Sequence, residues 1–520
     1  MTLITNNITL DLVAIIVTFL VGIIVYFKWQ LSYWDRLGVP SLNPMLVFGD
    51  FKNYIFAKCS LGEQFKELYD QFKSKGYKHG GIFVGPKPFY IPIDPEIVQH
   101  IMQKDFHHFM NHGNYFDENA DPLSGHLFNL EDSKWKNMRV KLTPTFTSGK
   151  MKMMFQTLAD CTRGLDEIMD NSAVNHTPAD IKDILGRFTT DIIGSVAFGI
   201  ECNSLKNPDA EFRKYGRRVF EVGIIDRIKI ICILALPDSV LRLLKLKFTK
   251  SDVENFFMNA IRDTVNYREK NNIYRKDFMH LLLQLKNRGS VTDDEKVTDD
   301  KDNVKEKALT LNELSAQAFV FFLAGFETSS TTMTWALYEL ATNQNVQEKL
   351  RNEIINVLSR HDNKLTYEAM MEMTYMEKVI HDTLRKYPPL PILTRKCNKD
   401  YTIPNTSIKL RRGTTVAIPV LGLHTDPEYY SNPEKFDPEH FSEENVKSRP
   451  GFTWLPFGDG PRICIGLRFG MLQSKVGLTA ILKNYKVTLS NKTKFPVTLD
   501  PKSFITTAKD GIWLDVKKLD

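Results

Sequence analysis

The chain has 520 residues, 42% of them apolar and 25% charged, with a formal charge of +6. This is a globular composition, which excludes a disordered or collagen-like chain, and the length allows two to four ordinary domains or one large helical one. So small a positive excess, with no nucleic-acid motif, argues against a nucleic-acid partner and suits a lipid surface or an acidic protein. Six cysteines (59, 161, 202, 232, 397 and 464) form no CxxC pair. They therefore suggest neither a zinc site nor a disulfide framework, and they fit a reducing compartment. His107 and His108 are adjacent, but there is no HExxH, and no metal is assigned to them.

Ile8–Phe27 is almost wholly apolar, with Asp11 near one end. Twenty helical residues span about 30 Å, the thickness of a hydrocarbon core. No Lys or Arg precedes the run. Lys28 and Arg36 follow it, with Trp29, Tyr33 and Trp34 as expected interfacial aromatics. An uncleaved anchor over residues 1–27 is predicted, with the rest of the chain on the cytosolic side. A cleaved signal would need a basic leader and a small-residue cleavage site. Residues 28–50 read as a linker stiffened by the prolines of Gly38–Pro44. Residues 51–520 form the remaining unit.

Phe83–Ile93 predicts short strands broken by prolines. Phe106–Leu130 is a long loop rich in His, Asn, Gly and aromatics, a length often associated with function. Trp135 and Arg139 share one helix face, among Lys134, Lys136 and Lys141. Ile224–Leu236 is apolar, ends at Pro237 and is too short and too charged to span a bilayer; buried core is the default for such a run. Arg288–Lys307 reads as a charged surface linker.

Thr310 and Glu313 form a capping box, opening a helix that can run to about Thr342. It is apolar nearly all round at Ala318–Ala324 and so predicted buried. Gly325 inside it costs about 1 kcal/mol relative to Ala and needs a reason, which a flat ligand pressing on the helix would supply. Thr328 can bond back to a carbonyl one turn earlier. Thr366–Tyr387 predicts one amphipathic helix that carries Asp382 and Arg385 and ends at Pro388–Pro389.

Phe457–Gly466 reads FGDGPRICIG. Three glycines mark torsions or close approaches that a Cβ would forbid. An apolar helical pattern follows Cys464, so its sulfur should sit at a helix N-terminus, where a thiolate is favoured. Such a thiolate suits one axial bond to a flat metal macrocycle, with Phe457 covering the sulfur and Arg462 reaching a carboxylate at the ring edge. A lone cysteine is more often a buried structural one. The whole pattern points the other way.

This stretch resembles the haem-binding signature of the cytochrome P450 superfamily, FxxGxRxCxG, at Phe457, Gly460, Arg462, Cys464 and Gly466. The likeness extends along the chain. It implies a mainly α fold with small β-sheets, an α+β cytochrome P450 fold behind an N-terminal transmembrane helix. It implies haem b with Cys464 as the metal ligand, and Trp135, Arg139, Ala324, Arg395, Phe457, Arg462 and Gly466 as cofactor contacts. Ala324–Thr328 (AGFET) matches the oxygen-activation segment, giving Glu327 and Thr328 as the proton relay. Phe109, Tyr115, Phe116, Leu390, Ile392 and Phe504 fall on segments expected to line the substrate pocket. The basic face around Trp135 would receive an acidic electron donor, and the 208–270 region would dip into the membrane.

The family pattern ExxR is Asp382…Arg385 here, and the usual Arg of the later motif is His440. Asp382, Arg385 and His440 thus form a structural network altered at two positions, expected to pair poorly. The chain has no nucleotide fingerprint, so its electrons must come from a partner. The resemblance implies NADPH–cytochrome P450 reductase, with cytochrome b5 as a second donor, at the endoplasmic reticulum membrane. The expected activity is monooxygenation of lipophilic substrates, xenobiotics such as plant toxins and insecticides or endogenous lipids. The alternatives are a haem-thiolate isomerase or dehydratase, which AGFET argues against, and a non-catalytic haem or lipophile binder, motivated by Asp382 and His440.

Overall fold

In the computed structural model, Thr310 caps the helix on which the rest of the chain is packed. Its hydroxyl accepts from the Glu313 N–H, and the Glu313 carboxylate accepts from the Thr310 N–H at 2.8 Å. Residues 8–289, 291 and 308–519 are described, so the expectation for Arg288–Lys307 falls mostly outside them. The helices used below, in chain order, are α1 (Ile8–Leu31), α2 (Asp132–Leu142), α3 (Ile181–Ile193), α4 (Glu211–Phe220), α5 (Ile224–Ala235), α6 (Leu311–Thr342), α7 (Tyr367–Glu372), α8 (Thr374–Lys386) and α9 (Leu467–Leu482). Every residue of α6 from Ser329 to Ala341 is buried. It packs along α3 on one side and α9 on another, where Gly470 and Gly477 bring the α9 backbone close to Ser329 and Met333. One large core surrounds α6.

A second core lies over a four-stranded sheet. The strands are β1 (His79–Val84), β2 (Lys87–Pro92), β3 (Ala179–Asp180), β4 (Leu393–Lys396), β5 (Tyr401–Thr402), β6 (Lys409–Leu410), β7 (Thr415–Ile418), β8 (Tyr485–Leu489) and β9 (Trp513–Lys518). The main sheet has the order β1-β2-β7-β4, with β2 and β7 parallel and the other pairs antiparallel. A three-stranded sheet β3-β9-β8 and the pair β5-β6 make up the other sheets among the described residues. The prolines do not break β2: Pro88 and Pro92 lie within it, opposite Phe83 and His79.

α1 is long and apolar enough to cross a membrane, and Leu12, Ile16, Phe19 and Val25 along it are more than half exposed. It runs to Leu31, past the expected end at residue 27. Trp34 is not interfacial. It is fully buried in the sheet-side core, donates its indole N–H to the Ile82 carbonyl at 3.1 Å and fills the slot left by the missing side chain of Gly81. The following segment is likewise built in, with Val39 and Leu42 buried and the Pro40 carbonyl accepting from Gly81 N–H.

One further element differs from expectation, and another departs from the default of a buried core. The predicted helix Thr366–Tyr387 is two helices, α7 and α8, parted at Met373. The Glu353 carboxylate accepts from the Tyr375 and Met376 N–H groups at 2.7 and 2.8 Å, capping α8 from another helix. The apolar run Ile224–Leu236 forms the helix α5 with Ile225 70% exposed. At least that part of its apolar face looks outward rather than into the core.

Candidate active site

Cys464 lies three residues before α9, with its N–H donating to the Phe457 carbonyl at 2.9 Å and Gly466 as the helix N-cap. Its side chain is accessible, yet the surrounding protein is dense enough that burial pushes the thiol up from its ordinary value. Accessible surface in dense surroundings describes an internal slot. The Gly466 N–H and the Arg139 charge pull the thiol the other way without winning. The helix end alone therefore does not make the thiolate; a bound cationic metal would.

Gly460 is required by the backbone. Its φ is +68°, and a Cβ there would meet the Met102 carbonyl oxygen at 2.0 Å. At Gly466 an added Cβ would meet no protein atom within 4 Å, so its bare face looks into open space. Ala324, mid-helix on α6 between the buried Phe322 and Phe326, is exposed. One turn on, the Thr328 hydroxyl donates to the Ala324 carbonyl at 2.6 Å, the local bond foreseen for it. Gly325 has a different reason from the one expected: a Cβ there would lie 2.3 Å from Ile193 Cδ1 of α3. Helix packing, rather than a flat ligand, demands the glycine.

Three cations gather near the cysteine loop. Arg462 donates to the carbonyls of Met110, Leu127 and Leu130 at 2.7–3.2 Å, and its guanidinium lies 4.1 Å over the Trp135 ring of α2. Arg139, one turn after Trp135, donates to the Ile463 carbonyl at 2.9 Å. Arg395 of β4 is fully buried, with Nη1 3.3 Å from His112 Nδ1 and Nε without a partner. Burial lowers Arg395 to about 10; burial and then the nearness of Arg395 lower Arg462 to about 9. No salt bridge to a carboxylate is found for Arg139, Arg395 or Arg462 among the described residues. An orphaned guanidinium N–H and mutually repelling buried cations fit a carboxylate-bearing ligand edge, and a thiol in a slot fits its metal. The residues present therefore fit haem. His112, stacked on Phe128 at 4.2 Å, had no signal in the sequence, because its neighbour Arg395 is distant along the chain.

Glu327 pairs with Lys182 of α3 at 2.7 Å, and Lys182 also donates to the Ser330 and Thr331 hydroxyls. Sequence reasoning missed Lys182. Asp382 and His440 pair well, contrary to expectation. One Asp382 oxygen accepts from Arg385 Nε at 2.6 Å and faces His440 Nδ1 at 3.0 Å, while the other accepts from the Asp437 N–H at 2.7 Å. The shorter acid reaches because Asp382 and Arg385 lie one turn apart on α8 and His440 approaches from the facing turn.

The expected pocket residues do not all converge. Phe109 is fully buried in the sheet-side core, edge-on to Tyr401 at 4.8 Å. Tyr115 and Phe116 are half-buried, and Phe116 lines an open cleft with Glu118, Glu131 and Arg242. Leu390 and Ile392 are half-buried, and Phe504 is 53% exposed. Thr506 ties those two segments together, donating its hydroxyl to the Pro388 carbonyl at 2.6 Å and its N–H to the Pro389 carbonyl. On the basic face, Lys134 is paired with Glu118 and Lys136 is exposed.

The family model for Cytochrome P450 matches residues 39–514. The chain is 44% identical over 505 residues to Cytochrome P450 6A1 of Musca domestica, covering 96% of both. It is 40% identical over 492 residues to Cytochrome P450 6a2 of Drosophila melanogaster, covering 94% of this chain and 96% of that one. With Cytochrome P450 6k1 of Blattella germanica the identity is 39% over 513 residues, covering 98% and 97%. The chain belongs to the cytochrome P450 family and is a haem-iron monooxygenase, an oxidoreductase.

Proposed function

We propose that this protein is a membrane-anchored monooxygenase that inserts one oxygen atom of O2 into lipophilic substrates, xenobiotics such as plant toxins and insecticides or endogenous lipids. Its electrons come from NADPH through NADPH–cytochrome P450 reductase, with cytochrome b5 as a second donor. It resides in the endoplasmic reticulum membrane, held by α1, with the catalytic domain on the cytosolic side. The observation that carries the reading is the accessible Cys464 sulfur inside a dense protein slot, beside buried arginines that lack a carboxylate.

Cys464 would hold the haem iron through its sulfur, Trp135, Arg139, Arg395 and Arg462 would hold the carboxylates, and Phe457 and Gly466 would pack along the cysteine side. Bound haem supplies the binding and reductive activation of dioxygen, one atom going to the substrate and the other to water. Ala324 leaves room on the α6 side. Thr328 offers a hydroxyl that can exchange its Ala324 partner for a water, and Glu327 with Lys182 holds a proton-bearing pair one residue away.

The test is the reduced, carbon-monoxide-bound spectrum of the protein expressed with a reductase, followed by turnover of a lipophilic substrate panel. The thiolate-type band is expected in the parent and absent in Cys464→Ala. A normal band in that variant would overturn the ligand assignment. Thr328→Ala should divert reducing equivalents to peroxide, and unchanged product per NADPH would remove Thr328 from the relay.

A further inference from the structure

We propose that His440 is a positioning residue held as the imidazolium cation, its two ring N–H groups bridging the Asp382 carboxylate to the Ser431 carbonyl. His440 sits in the 3₁₀ turn Pro438–Phe441 and is 6% exposed. Its Nδ1 lies 3.0 Å from Asp382 Oδ1 and its Nε2 lies 2.8 Å from the Ser431 carbonyl oxygen. A carboxylate oxygen and a carbonyl oxygen only accept. A neutral imidazole has one N–H, so either tautomer would set a ring-nitrogen lone pair against an oxygen lone pair in a buried site and leave that nitrogen without a donor. Two N–H donors remove the conflict.

His424 provides an internal contrast. It is fully buried and contacts the same arginine. Its Nδ1 donates to the Arg385 carbonyl at 3.2 Å, and its Nε2 accepts from the Leu455 N–H at 2.7 Å. One acceptor and one donor suit a neutral ring, and burial pushes His424 down to about 3. The two histidines differ in what their partners can do.

Four bonds tie α8 to residues 431–440. Arg385 donates to the Pro433 and Lys435 carbonyls at 2.6 and 3.0 Å, and Asp382 accepts from the Asp437 N–H and faces His440 Nδ1. The cysteine loop is held to the same helix by Trp454, whose indole N–H donates to the His381 carbonyl at 3.3 Å, and through His424 by the Leu455 N–H. Asp382 and Arg385 face His440 from α8, and Asp437 faces it from its own turn. Glu439 turns outward to Lys349 and Lys378. Arg449 donates to the His440 carbonyl at 3.1 Å and lies over the rings of Tyr430 and Phe441. The Tyr430 ring meets His440 edge-on at 5.9 Å.

The test uses the full-length haem-loaded protein labelled with nitrogen-15 histidine, at neutral pH, where a free imidazole is mostly unprotonated. The ring signals that vanish in a His440 variant should both be of the protonated type. One unprotonated nitrogen among them overturns the proposal. As a second measure, haem transfer to an apo-acceptor protein should be about tenfold faster in His440→Gln, which lacks the charge, and near parental in His440→Arg, which restores it. Equal loss in both variants overturns the cationic role. Should His440→Gln fail to fold, His440→Arg supplies the signal assignment and the nitrogen spectrum decides.

Discussion

Gly325→Ala separates two reasons for a glycine in the middle of the long helix. An ideal Cβ at 325 would lie 2.3 Å from Ile193 Cδ1 and 3.0 Å from its Cγ1, and Ile193 is 3% exposed. Unstrained carbon contacts are about 3.5–4.0 Å, so Ile193 must leave its rotamer inside a close-packed core. Overpacking of this kind costs about 1–3 kcal/mol, while the gain in helix propensity returns about 1 kcal/mol. The expected result is a net loss of up to about 2 kcal/mol. Ile193→Val removes Cδ1 and alone should cost about 0.5–1.5 kcal/mol. Combined, the two changes should largely cancel, with a coupling of about 1 kcal/mol or more. The assay is the apparent melting temperature of the four proteins, read beside the carbon monoxide band. Additive losses would refute the packing argument. A band lost in Gly325→Ala and not restored by Ile193→Val would show that a ligand, rather than Ile193, lies against that position.

Other outcomes follow from buried groups. Asp382→Asn weakens the acceptor shared by Arg385 and His440 and should cost about 3–5 kcal/mol, read as a lower melting temperature. Asp382→Glu should also destabilise, by about 1–3 kcal/mol, because the extra methylene has no room at 0% exposure; a higher melting temperature would mean the trio is under-filled. Lys182→Met should cost about 3 kcal/mol by leaving Glu327 unpaired, and adding Glu327→Gln should recover most of it in the same melt. Trp34→Ala should cost about 3–5 kcal/mol, a loss no interfacial residue would show. Acid should destabilise the fold. Burial lowers His424 to about 3 and His126 to about 4 from the ordinary 6.5. The unfolded chain thus binds more protons as pH falls below about 6.5, and stability drains away toward pH 3. Melting temperatures at stepped pH should show this slope, reduced in His424→Gln.

What could be read in advance had its cause within a few residues. Thr310 and Glu313 are three apart and make their capping box with no outside help. Gly460 and Cys464 belong to one loop, and the apolar pattern after them is the helix that ends it. Several misjudged features depend on a distant partner. Gly325 answers to Ile193, Trp34 to the bare Gly81, and the break at Met373 to the Glu353 carboxylate. Asp382 looked a methylene too short for Arg385, but the two lie one turn apart on α8, and Asp437 and His440 bring their own groups to it. The same logic governs the haem site. The signature loop could be recognised from nearby residues, whereas the need for an anion became legible only when Arg395, Arg462 and Arg139 proved to lack a carboxylate. A thiol raised by burial and arginines lowered by it are two halves of one electrostatic deficit. A metal ion that deprotonates the sulfur and a pair of carboxylates that neutralise the arginines would relieve both, and haem carries them on one rigid ring.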